Sequence, residues 1–509
     1  MIAAKEMLFG VASADHQCEA FDPERPDVWD WWEASGKVPQ VRGRATDFWN
    51  RFEEDVELAR GLGCSAFRFS IAWSRVEPRP GEPDSRALDH YASVVDCIRR
   101  HGMTPVVTLL HMAWPLHVQE RGGLLAPEFP GWFRRYAGWV GEALGGKVPY
   151  WLTFNEPDGL ITDGFTSLGA AFPPGPRPNG TFAEMMADVR RAMTAIFLAH
   201  SAARDALRSG PGGETNLVSA NTYANGLPIW IQQILDAIPA GLVEHHVQNE
   251  QHFLEWFAEH GSRPLGAYSG FESGRWEATN RRFGLLGSVT SDLLQHLRSL
   301  TEQGIGRALT VEMALFEANW FEMGMLGQLP AFLCPTECHI ALDYAAFDFY
   351  FAVPHVWSVG AFERLATVGR RRFFEQAPVY APRLYESLRY EQSLFPGLPI
   401  MIMENGIVNQ RSASAQLGKA PAADAVEMAE YVAEHVDQVA RARADGVNVQ
   451  GYHVWSITSN REWGLPFDQR SDFGLYHVDL DHDPTLRRVE TSAASVYRGI
   501  IRRLRSAER

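Results

Sequence analysis

The sequence reads Trp151-Leu152-Thr153-Phe154-Asn155-Glu156-Pro157 at one point and Ile400-Met401-Ile402-Met403-Glu404-Asn405-Gly406 at another. In both stretches an apolar run, rich in residues that favour strands, leads into a glutamate beside an asparagine. A carboxylate at the end of a buried strand is costly unless it is paired or in contact with water. Two such endings on separate strands indicate a pair of carboxylates at one edge of a parallel sheet.

Short apolar runs of this kind alternate with amphipathic helical stretches along the chain. Turn or polar residues bound the runs, and several are nearly continuously apolar, as expected for parallel strands covered by helices. The candidate strands are Met7–Ala14, Cys64–Ile71, Thr104–Leu110, Tyr150–Glu156, Asn216–Tyr223, Ile340–Phe351, Leu398–Glu404 and Val449–Ser456. Strands separated by helical crossovers favour an α/β fold, the closed (β/α)8 TIM barrel, over an open sheet.

Helices are predicted between the strands from apolar residues at helical spacing and from glycines just beyond their ends. The predicted helices are Asp47–Leu62, Ser85–Arg100, Phe182–Ser209, Ala422–Ala444 and Ser492–Arg505.

One segment, at about 224–339, interrupts this alternation between the fifth and sixth strands. A loop of that length without secondary structure is implausible in a compact domain. Helical patterns occur in it at Pro228–Ile238, Glu250–His260 and Val289–Gln303. We therefore expect one catalytic barrel domain over residues 1–509, with an insertion at about 224–339 over its active-site end.

The composition of the 509-residue chain excludes several classes of protein. Hydrophobic residues make up 46% and charged residues 21%, which is typical of a globular protein. The net charge of −15 argues against a nucleic-acid partner, because binding to phosphates needs a basic face. No apolar run is long enough to cross a membrane, and residues 1–25 contain no apolar signal segment. The five cysteines are too few for a disulfide framework, so we expect a cytoplasmic protein.

A pair of glutamates at the carboxyl ends of barrel strands is what glycoside hydrolysis requires. One carboxyl donates a proton to the leaving oxygen, and the other attacks the anomeric carbon when the configuration is retained. Their surroundings must separate the two pKa values. Arg68, at the end of the second candidate strand, could keep Glu404 ionised. A structural ion pair is the alternative interpretation of either Glu156 or Glu404 taken alone.

The two stretches also resemble a known family. Thr153-Phe154-Asn155-Glu156-Pro157 and Glu404-Asn405-Gly406 are similar to the two signature motifs of glycoside hydrolase family 1, the β-glucosidase family. The similarity covers nearly the whole chain. It includes Phe9-Gly10-Val11-Ala12-Ser13 with Gln17 and Glu19, Phe67 to Arg75, Trp455-Ser456 with Asn460, Glu462 and Trp463, and Phe473-Gly474-Leu475 with Val478-Asp479.

This resemblance implies a role for each residue that matches the family pattern. Glu156 would be the acid/base and Glu404 the nucleophile, supported by Arg68, while Asn155 would bind the sugar 2-hydroxyl and Tyr350 would contact the nucleophile. The residues implied to hold the non-reducing sugar are Gln17, His111, Trp455, Glu462 and Trp463. Planar amide and carboxylate groups suit sugar hydroxyls, and an indole suits the apolar face of a sugar. For the tryptophans and for His111, core packing is the alternative.

The chain departs from the family pattern at several positions. The chain has His111-Met112-Ala113 where His-Trp-Asp is usual, and it has Asp348 where an asparagine is usual. Arg461 stands where an aromatic residue is usual, and Ser471-Asp472 are additional. None of these positions is a catalytic glutamate, so the departures concern the choice of substrate and not the reaction.

The function expected from the sequence is that of a retaining β-glycosidase on terminal, non-reducing β-D-glycosides. The substrate would be a small glycoside or a short oligosaccharide, and the chemistry needs no metal and no organic cofactor. A transglycosidase using the same site is one alternative, and a catalytically silent glycan-binding protein is another, since a fold does not fix a function. Cys334, Cys338 and His339 also form a weak metal-binding pattern, for which an ordinary loop is the simpler interpretation.

Overall fold

The computed structural model describes residues 7–166, 172–224, 341–352, 379–409, 426–468 and 471–508, with short pieces between 232 and 333. In it, the strands form a closed parallel barrel in the order β1 to β8. The last strand, β8, pairs with the first over five residues, from Leu8 opposite Gly451 to Ala12 opposite Trp455. The predicted (β/α)8 barrel is confirmed.

The barrel strands lie where the apolar runs predicted them, with adjusted ends. They are β1 Leu8–Ala12, β2 Ala66–Ser70, β3 Thr104–Leu110, β4 Tyr150–Asn155, β5 Leu217–Tyr223, β6 Ala345–Phe349, β7 Ile400–Asn405 and β8 Val449–Trp455. A separate antiparallel pair is formed by β9 Tyr476–His477 and β10 Val489–Glu490. Only β3 begins and ends at the residues that the sequence predicted. Glu156, predicted to end the fourth strand, lies one residue beyond β4.

The sixth strand is much shorter than the predicted Ile340–Phe351. Just before the strand, a side-chain oxygen takes the place of a backbone acceptor. Oδ2 of Asp343 accepts a hydrogen bond from the backbone N–H of Val218, 2.8 Å away. Pairing with β5 is regular only from Ala346, which lies opposite Asn221. The strand ends at Phe349, so Tyr350 lies just beyond its carboxyl end, in the position that parallel barrels use for chemistry.

Helices surround the barrel, and their bounds follow the local end signals. The helices are α1 Asp15–Cys18, α2 Val28–Ala34, α3 Phe48–Leu62, α4 Trp73–Val76, α5 Ser85–Arg100, α6 Leu116–Glu120, α7 Phe129–Leu144, α8 Pro157–Phe165, α9 Phe182–Ser209, α10 Trp320–Met325, α11 Pro382–Leu394, α12 Val426–Ala444 and α13 Ser492–Glu508. Gly63 ends α3 with φ of 90°, a backbone conformation that favours glycine. Thr181 and Glu184 form a capping box at the start of α9.

The core has two layers. A small cluster contains Ala66, Val106, Tyr150, Leu152, Tyr344, Ala346, Met401 and Met403. These residues alternate along β2, β3, β4, β6 and β7 with outward-facing ones, so they fill the inside of the barrel. A much larger cluster packs the outer faces of the strands against the helices. The polar residues of the site lie above the inner layer, at the carboxyl ends of the strands.

Most of the expected insertion lies outside the described residues, and with it nearly all of its predicted helices and aromatic residues. Phe321 of α10 is an exception: it is fully buried and stacks on Phe197 of α9, with ring centroids 5.2 Å apart. It therefore belongs to the core packing and does not line a pocket. None of the helices in the described part of the chain has the length and apolar character needed to cross a membrane.

Candidate active site

Glu404 reaches the barrel interior because β7 is irregular. Met401 and Met403 face inward, so strict alternation would place Glu404 on the outer face. The pairing of β7 with β8 shifts between Ile402 and Asn405, and this irregularity turns the glutamate toward the inside. The Glu-Asn-Gly triplet requires a glycine at its third position, because a Cβ on Gly406 would lie only 2.2 Å from the carbonyl oxygen of Trp455.

Both oxygens of the Glu404 carboxylate receive hydrogen bonds. Arg68 Nη1 donates to Oε1 over 2.6 Å, and the Tyr350 hydroxyl donates to Oε2. Burial raises the pKa of Glu404, while the charge of Arg68 and the Tyr350 hydrogen bond oppose that rise. His111 Nε2 lies 4.0 Å from Oε1; burial and the neighbouring Arg68 hold its pKa well below the usual range, so the ring is neutral. A carboxylate with these partners is suited to remain ionised.

Glu156 caps α8 in a backbone conformation with φ of 39°, which is strained for a residue with a side chain. Pro157 follows at the first helical position, where its missing N–H leaves no bond unmade. Burial, followed by the nearby carboxyls of Asp348 and Glu404, raises the pKa of Glu156 well above its usual range. In the part of the chain that the structure describes, no arginine or lysine forms an ion pair with it. Glu156 therefore favours the protonated form.

The two glutamates are close enough to act on one bond. Glu156, Glu404 and Asp348 each offer an oxygen atom within 4.8 Å of the others. Carboxyl groups of retaining glycosidases lie roughly 5–5.5 Å apart, whereas inverting enzymes need a gap of roughly 6.5–9.5 Å for a water molecule. This proximity fits direct attack by one carboxylate on the anomeric carbon.

Arg68 is the centre of a buried polar network. Its Nη2 donates to Asn155 Oδ1 over 2.6 Å, and its Nε donates to Thr108 Oγ1 over 3.1 Å. Asn221 of β5 joins the network, since its Nδ2 donates to the same Asn155 oxygen over 2.7 Å and to Asp348. Sequence reasoning missed Asn221, although it is a polar residue near the carboxyl end of an apolar strand, which is the signal that identified the glutamates.

Aromatic rings and polar groups form the other wall of the site. The His111 ring stacks between Trp455, at a centroid distance of 5.6 Å, and Trp463, at 6.1 Å. Gln17 Nε2 lies 3.5 Å from Glu462 Oε2, and the buried Oε1 of Gln17 has no hydrogen-bond partner. These are the groups that a polyhydroxylated ligand with one apolar face needs.

A charged cluster that the sequence did not reveal supports this wall from behind. The His16 ring stacks on Trp463 at 5.7 Å, and its nitrogens lie 2.8 Å from Asp27 Oδ2 and 3.0 Å from Glu33 Oε1. Arg42 completes the cluster, with Nη2 lying 2.6 Å from an oxygen of Asp30. Asp27, Asp30 and Glu33 belong to α2 and its N-cap, whereas His16 lies on α1 and Arg42 lies beyond α2, so no spacing in the sequence joins these three parts.

Two sets of side chains in the described residues have the spacing of metal ligands: Glu156, Asp348 and Glu404, and also His16, Asp30 and Glu33. In the first set Arg68 already binds Glu404, and in the second Arg42 binds Asp30. A metal ion would compete with a guanidinium group at either place. Neither set therefore has the chemistry of a dedicated metal centre.

The structure brings all ten residues singled out from the sequence to this end of the barrel. Contacts link Glu404 to Arg68, Tyr350 and His111, and Arg68 to Asn155, while Glu156 lies beside Glu404. His111 stacks on both tryptophans, and Gln17 meets Glu462. Of the departures, Met112 is buried with φ of 63°, and Arg461 donates to Gln40 and Asp481 over 2.8 and 2.6 Å.

Two adjacent carboxyls at the carboxyl ends of the strands of a TIM barrel, with Glu404 paired to Arg68, are the arrangement that glycoside hydrolysis requires. The chain matches the family model "Glycosyl hydrolase family 1" over residues 3–302 and 375–505, and it belongs to that family. This confirms the resemblance seen in the sequence and the predicted β-glycosidase class of enzyme.

Named relatives match over most of their length. The chain is 26% identical to a bifunctional β-D-glucosidase/β-D-fucosidase of Bifidobacterium breve, covering 98% of both chains. It is 26% identical to a coniferin β-glucosidase of Pinus contorta, covering 94% of this chain and 88% of the relative. Among solved structures, a family 1 β-glucosidase of Thermotoga maritima in complex with isofagomine lactam aligns with a TM-score of 0.65 at 20% identity, over 98% of both chains.

Proposed function

We propose that this protein hydrolyses terminal, non-reducing β-D-glycosides, with Glu404 as the nucleophile and Glu156 as the acid/base. The observation that supports the proposal most strongly is that two adjacent carboxyls have different hydrogen-bond partners and different neighbouring charges. Arg68 and Tyr350 bind Glu404, whereas Glu156 is surrounded by other carboxyls. Their pKa values are pushed apart, so one group is ready to attack while the other carries the proton.

The reaction then proceeds in two displacements. Glu404 attacks the anomeric carbon while Glu156 transfers its proton to the glycosidic oxygen, which breaks the glycosidic bond and forms a glycosyl ester. Glu156, now a carboxylate, removes a proton from water, and the resulting hydroxide displaces Glu404. Both displacements invert the carbon, so the configuration is retained overall.

The other site residues are proposed to hold the sugar. Asn155, fixed by Arg68 and Asn221, would bind the 2-hydroxyl beside the reacting carbon. Glu462 and Gln17 would accept and donate to hydroxyls at the far side of the ring, with neutral His111 between them and the nucleophile. Trp455 and Trp463 would offer apolar faces. The names of the relatives in Bifidobacterium breve and Pinus contorta support a β-glucoside or β-fucoside as substrate.

The insertion at about 224–339 is proposed to belong to the same domain and to cover the active-site end of the barrel. One contact supports this: Thr222, near the carboxyl end of β5, donates to the buried carboxyl of Glu322 on α10. A covered barrel mouth forms a pocket, which suits small glycosides and short oligosaccharides better than long polymers. The comparison of kcat/KM for an aryl β-glucoside and for a soluble β-glucan tests this, and efficient internal cleavage of the polymer would contradict it.

A cytoplasmic location is also proposed. Cys18, Cys64 and Cys97 are free and buried, and burial raises the pKa of Cys18 and of Cys64 to about 12. Unpaired thiols of this kind suit a reducing compartment.

The direct test of the proposed function is to trap the ester. The enzyme is incubated with a dinitrophenyl 2-deoxy-2-fluoro-β-glucoside, digested, and analysed by mass spectrometry for the labelled peptide. We expect one sugar per chain, attached to Glu404. A label on another residue, or full activity in a Glu404→Gln variant that takes no label, would contradict the assignment. A panel of aryl glycosides then identifies the preferred sugar, and product analysis with an added alcohol measures transfer against hydrolysis.

A further inference from the structure

A third carboxyl lies against the catalytic pair. Asp348, on β6, is fully buried, and one of its oxygens is within 4.8 Å of an oxygen of Glu156 and of Glu404. The family pattern has an asparagine at this position, which cannot ionise. The chain therefore adds an acidic group to a water-poor site that already contains two.

The hydrogen bonds of Asp348 leave one oxygen without a partner. Asn221 Nδ2 donates to Oδ2, whereas the buried Oδ1 has no hydrogen-bond partner. Arg68 compensates the charge of Asp348 only in part, because its two Nη atoms are bonded to Glu404, to the Met403 carbonyl and to Asn155. A buried carboxylate oxygen without a donor is unfavourable, but the same oxygen carrying a proton is a donor that needs an acceptor.

We propose that Asp348 is a positioning residue that acts on the acid/base Glu156 through its charge, so that the two carboxyls form a coupled pair. The pair keeps a proton available to Glu156 in more alkaline solution than an asparagine at this position would allow. The proposal rests on the acid/base role proposed above for Glu156. Glu404 is not a member of this pair, since Arg68 and Tyr350 bind its two oxygens.

The proton balance of the pair is simple. In acid, Glu156 and Asp348 each hold a proton, and the first proton lost leaves one carboxylate beside one carboxylic acid. The second proton leaves only at higher pH, because its loss would create two adjacent negative charges. During the reaction Glu156 gives its proton to the leaving oxygen and regains one from water, so Asp348 ends each cycle as it began.

The groups that face this pair from the surrounding elements favour retention of a proton. The ionisable or charged groups around it are Asp158 at the start of α8, Tyr350 after β6, Glu404 on β7, Glu462 after β8, His111 after β3 and Arg68 on β2. Four of these are carboxyls or a phenol, His111 is neutral, and Arg68 is bonded to Glu404. Burial, the charge of Glu404 and the remaining acidic neighbours raise the pKa of Asp348 well above its usual range.

The test is the Asp348→Asn variant, which preserves shape and removes the ionisable group. For an alkyl β-glycoside, whose departure needs the acid, the alkaline limb of kcat/KM should move to lower pH by about one unit. The acidic limb, which reports the ionisation of Glu404, should move less, because Arg68 and Tyr350 bind that carboxylate directly. For a dinitrophenyl glycoside, which leaves without a proton, the two enzymes should have the same alkaline limb. A purely structural role would affect both substrates alike.

Two further variants separate the possible outcomes. Asp343→Asn makes the same chemical change before the other end of β6, where Asp343 pairs with Arg204 over 2.9 Å, and it should leave both limbs in place. Glu156→Gln should remove the alkaline limb altogether. If that limb disappears in Glu156→Gln but is unmoved in Asp348→Asn, the coupled pair is wrong and the acid/base assignment stands. If the limb persists in Glu156→Gln, the acid/base assignment fails and the pair fails with it.

Discussion

Arg68 and Glu404 are 336 positions apart in the chain, yet Nη1 of the arginine lies 2.6 Å from Oε1 of the glutamate. The guanidinium is fully buried, and Thr108, Asn155 and the Met403 carbonyl accept further hydrogen bonds from it. Its planar fork is therefore fixed on several sides, as the preorganisation of a site requires. Arg68 of β2 therefore favours the ionised form of the Glu404 carboxylate on β7 and also fixes its orientation.

Replacing Glu404 by alanine should abolish hydrolysis, because the nucleophile is lost while Glu156 remains. We expect kcat on an aryl β-glucoside to fall by on the order of 10⁴-fold or more. Added azide should partly restore turnover and give the α-glycosyl azide, since a small anion can enter the space left by the carboxylate. A variant that keeps a substantial fraction of wild-type turnover would refute the assignment of the nucleophile.

Replacing Glu156 by glutamine should produce a loss that depends on the leaving group. For an alkyl glycoside we expect a fall in kcat/KM of about 10²–10⁴-fold, the usual contribution of a general acid. The formation of the glycosyl ester from a dinitrophenyl glycoside should be nearly unaffected, since dinitrophenolate leaves without protonation. Equal losses on the two substrates, measured as kcat/KM, would count against the acid/base role.

Glu462 should make the enzyme discriminate against 6-phospho-sugars. Its carboxylate would face the 4- and 6-hydroxyls, and a phosphate there would be repelled at a cost of several kcal/mol, or on the order of 100-fold in kcat/KM. The two nearby arginines cannot compensate, because Arg42 pairs with Asp30 and Arg461 with Asp481, each over 2.6 Å. The measurement compares p-nitrophenyl β-glucoside with its 6-phosphate, and a preference for the phosphate would overturn the prediction.

Protonated His16 should stabilise the fold, and this contribution should be lost in alkaline solution. Burial would lower the pKa of His16, but Asp27 and the hydrogen bonds to Asp27 and Glu33 outweigh both burial and the Arg42 charge and raise it to about 9. The folded-state pKa is above the unfolded value, so the contribution is complete below about pH 6.5 and disappears as the pH rises through about 9. Asp30, whose pKa is raised to about 7, has finished titrating before the upper part of that window.

The measurement is the melting temperature of the wild type and of His16→Gln between pH 7 and 9. The wild type should lose roughly 2 °C more than the variant over this interval. Parallel curves for the two proteins would show that His16 is not protonated in the fold.

The apolar runs predicted the eight strands because parallel barrel strands are buried on both faces, and this signal is local. It could not place the beginning of β6, since the side chain of Asp343, just before that strand, binds the backbone N–H of Val218, and this contact depends on the tertiary fold. The motifs predicted Glu156, Glu404 and their neighbours, but the inward turn of Glu404 comes from a shift in strand register that no spacing encodes. His16 of α1 and Arg42 beyond α2 also reach the carboxyls of Asp27 and Asp30 only through the fold.

The pairing of β1 with β8 has a consequence for how activity is acquired. Gln17 follows β1 and Glu462 follows β8, and they meet only after these two strands have paired, while Tyr497 of α13 donates to the Gly10 carbonyl over 2.9 Å across the same seam. A fragment that lacks the segment of β1 or of β8 therefore cannot bring Gln17 and Glu462 together, even if its helices form. During refolding, turnover should therefore return only when β1 and β8 pair. Circular dichroism does not report this step separately, because its signal is dominated by helix formation.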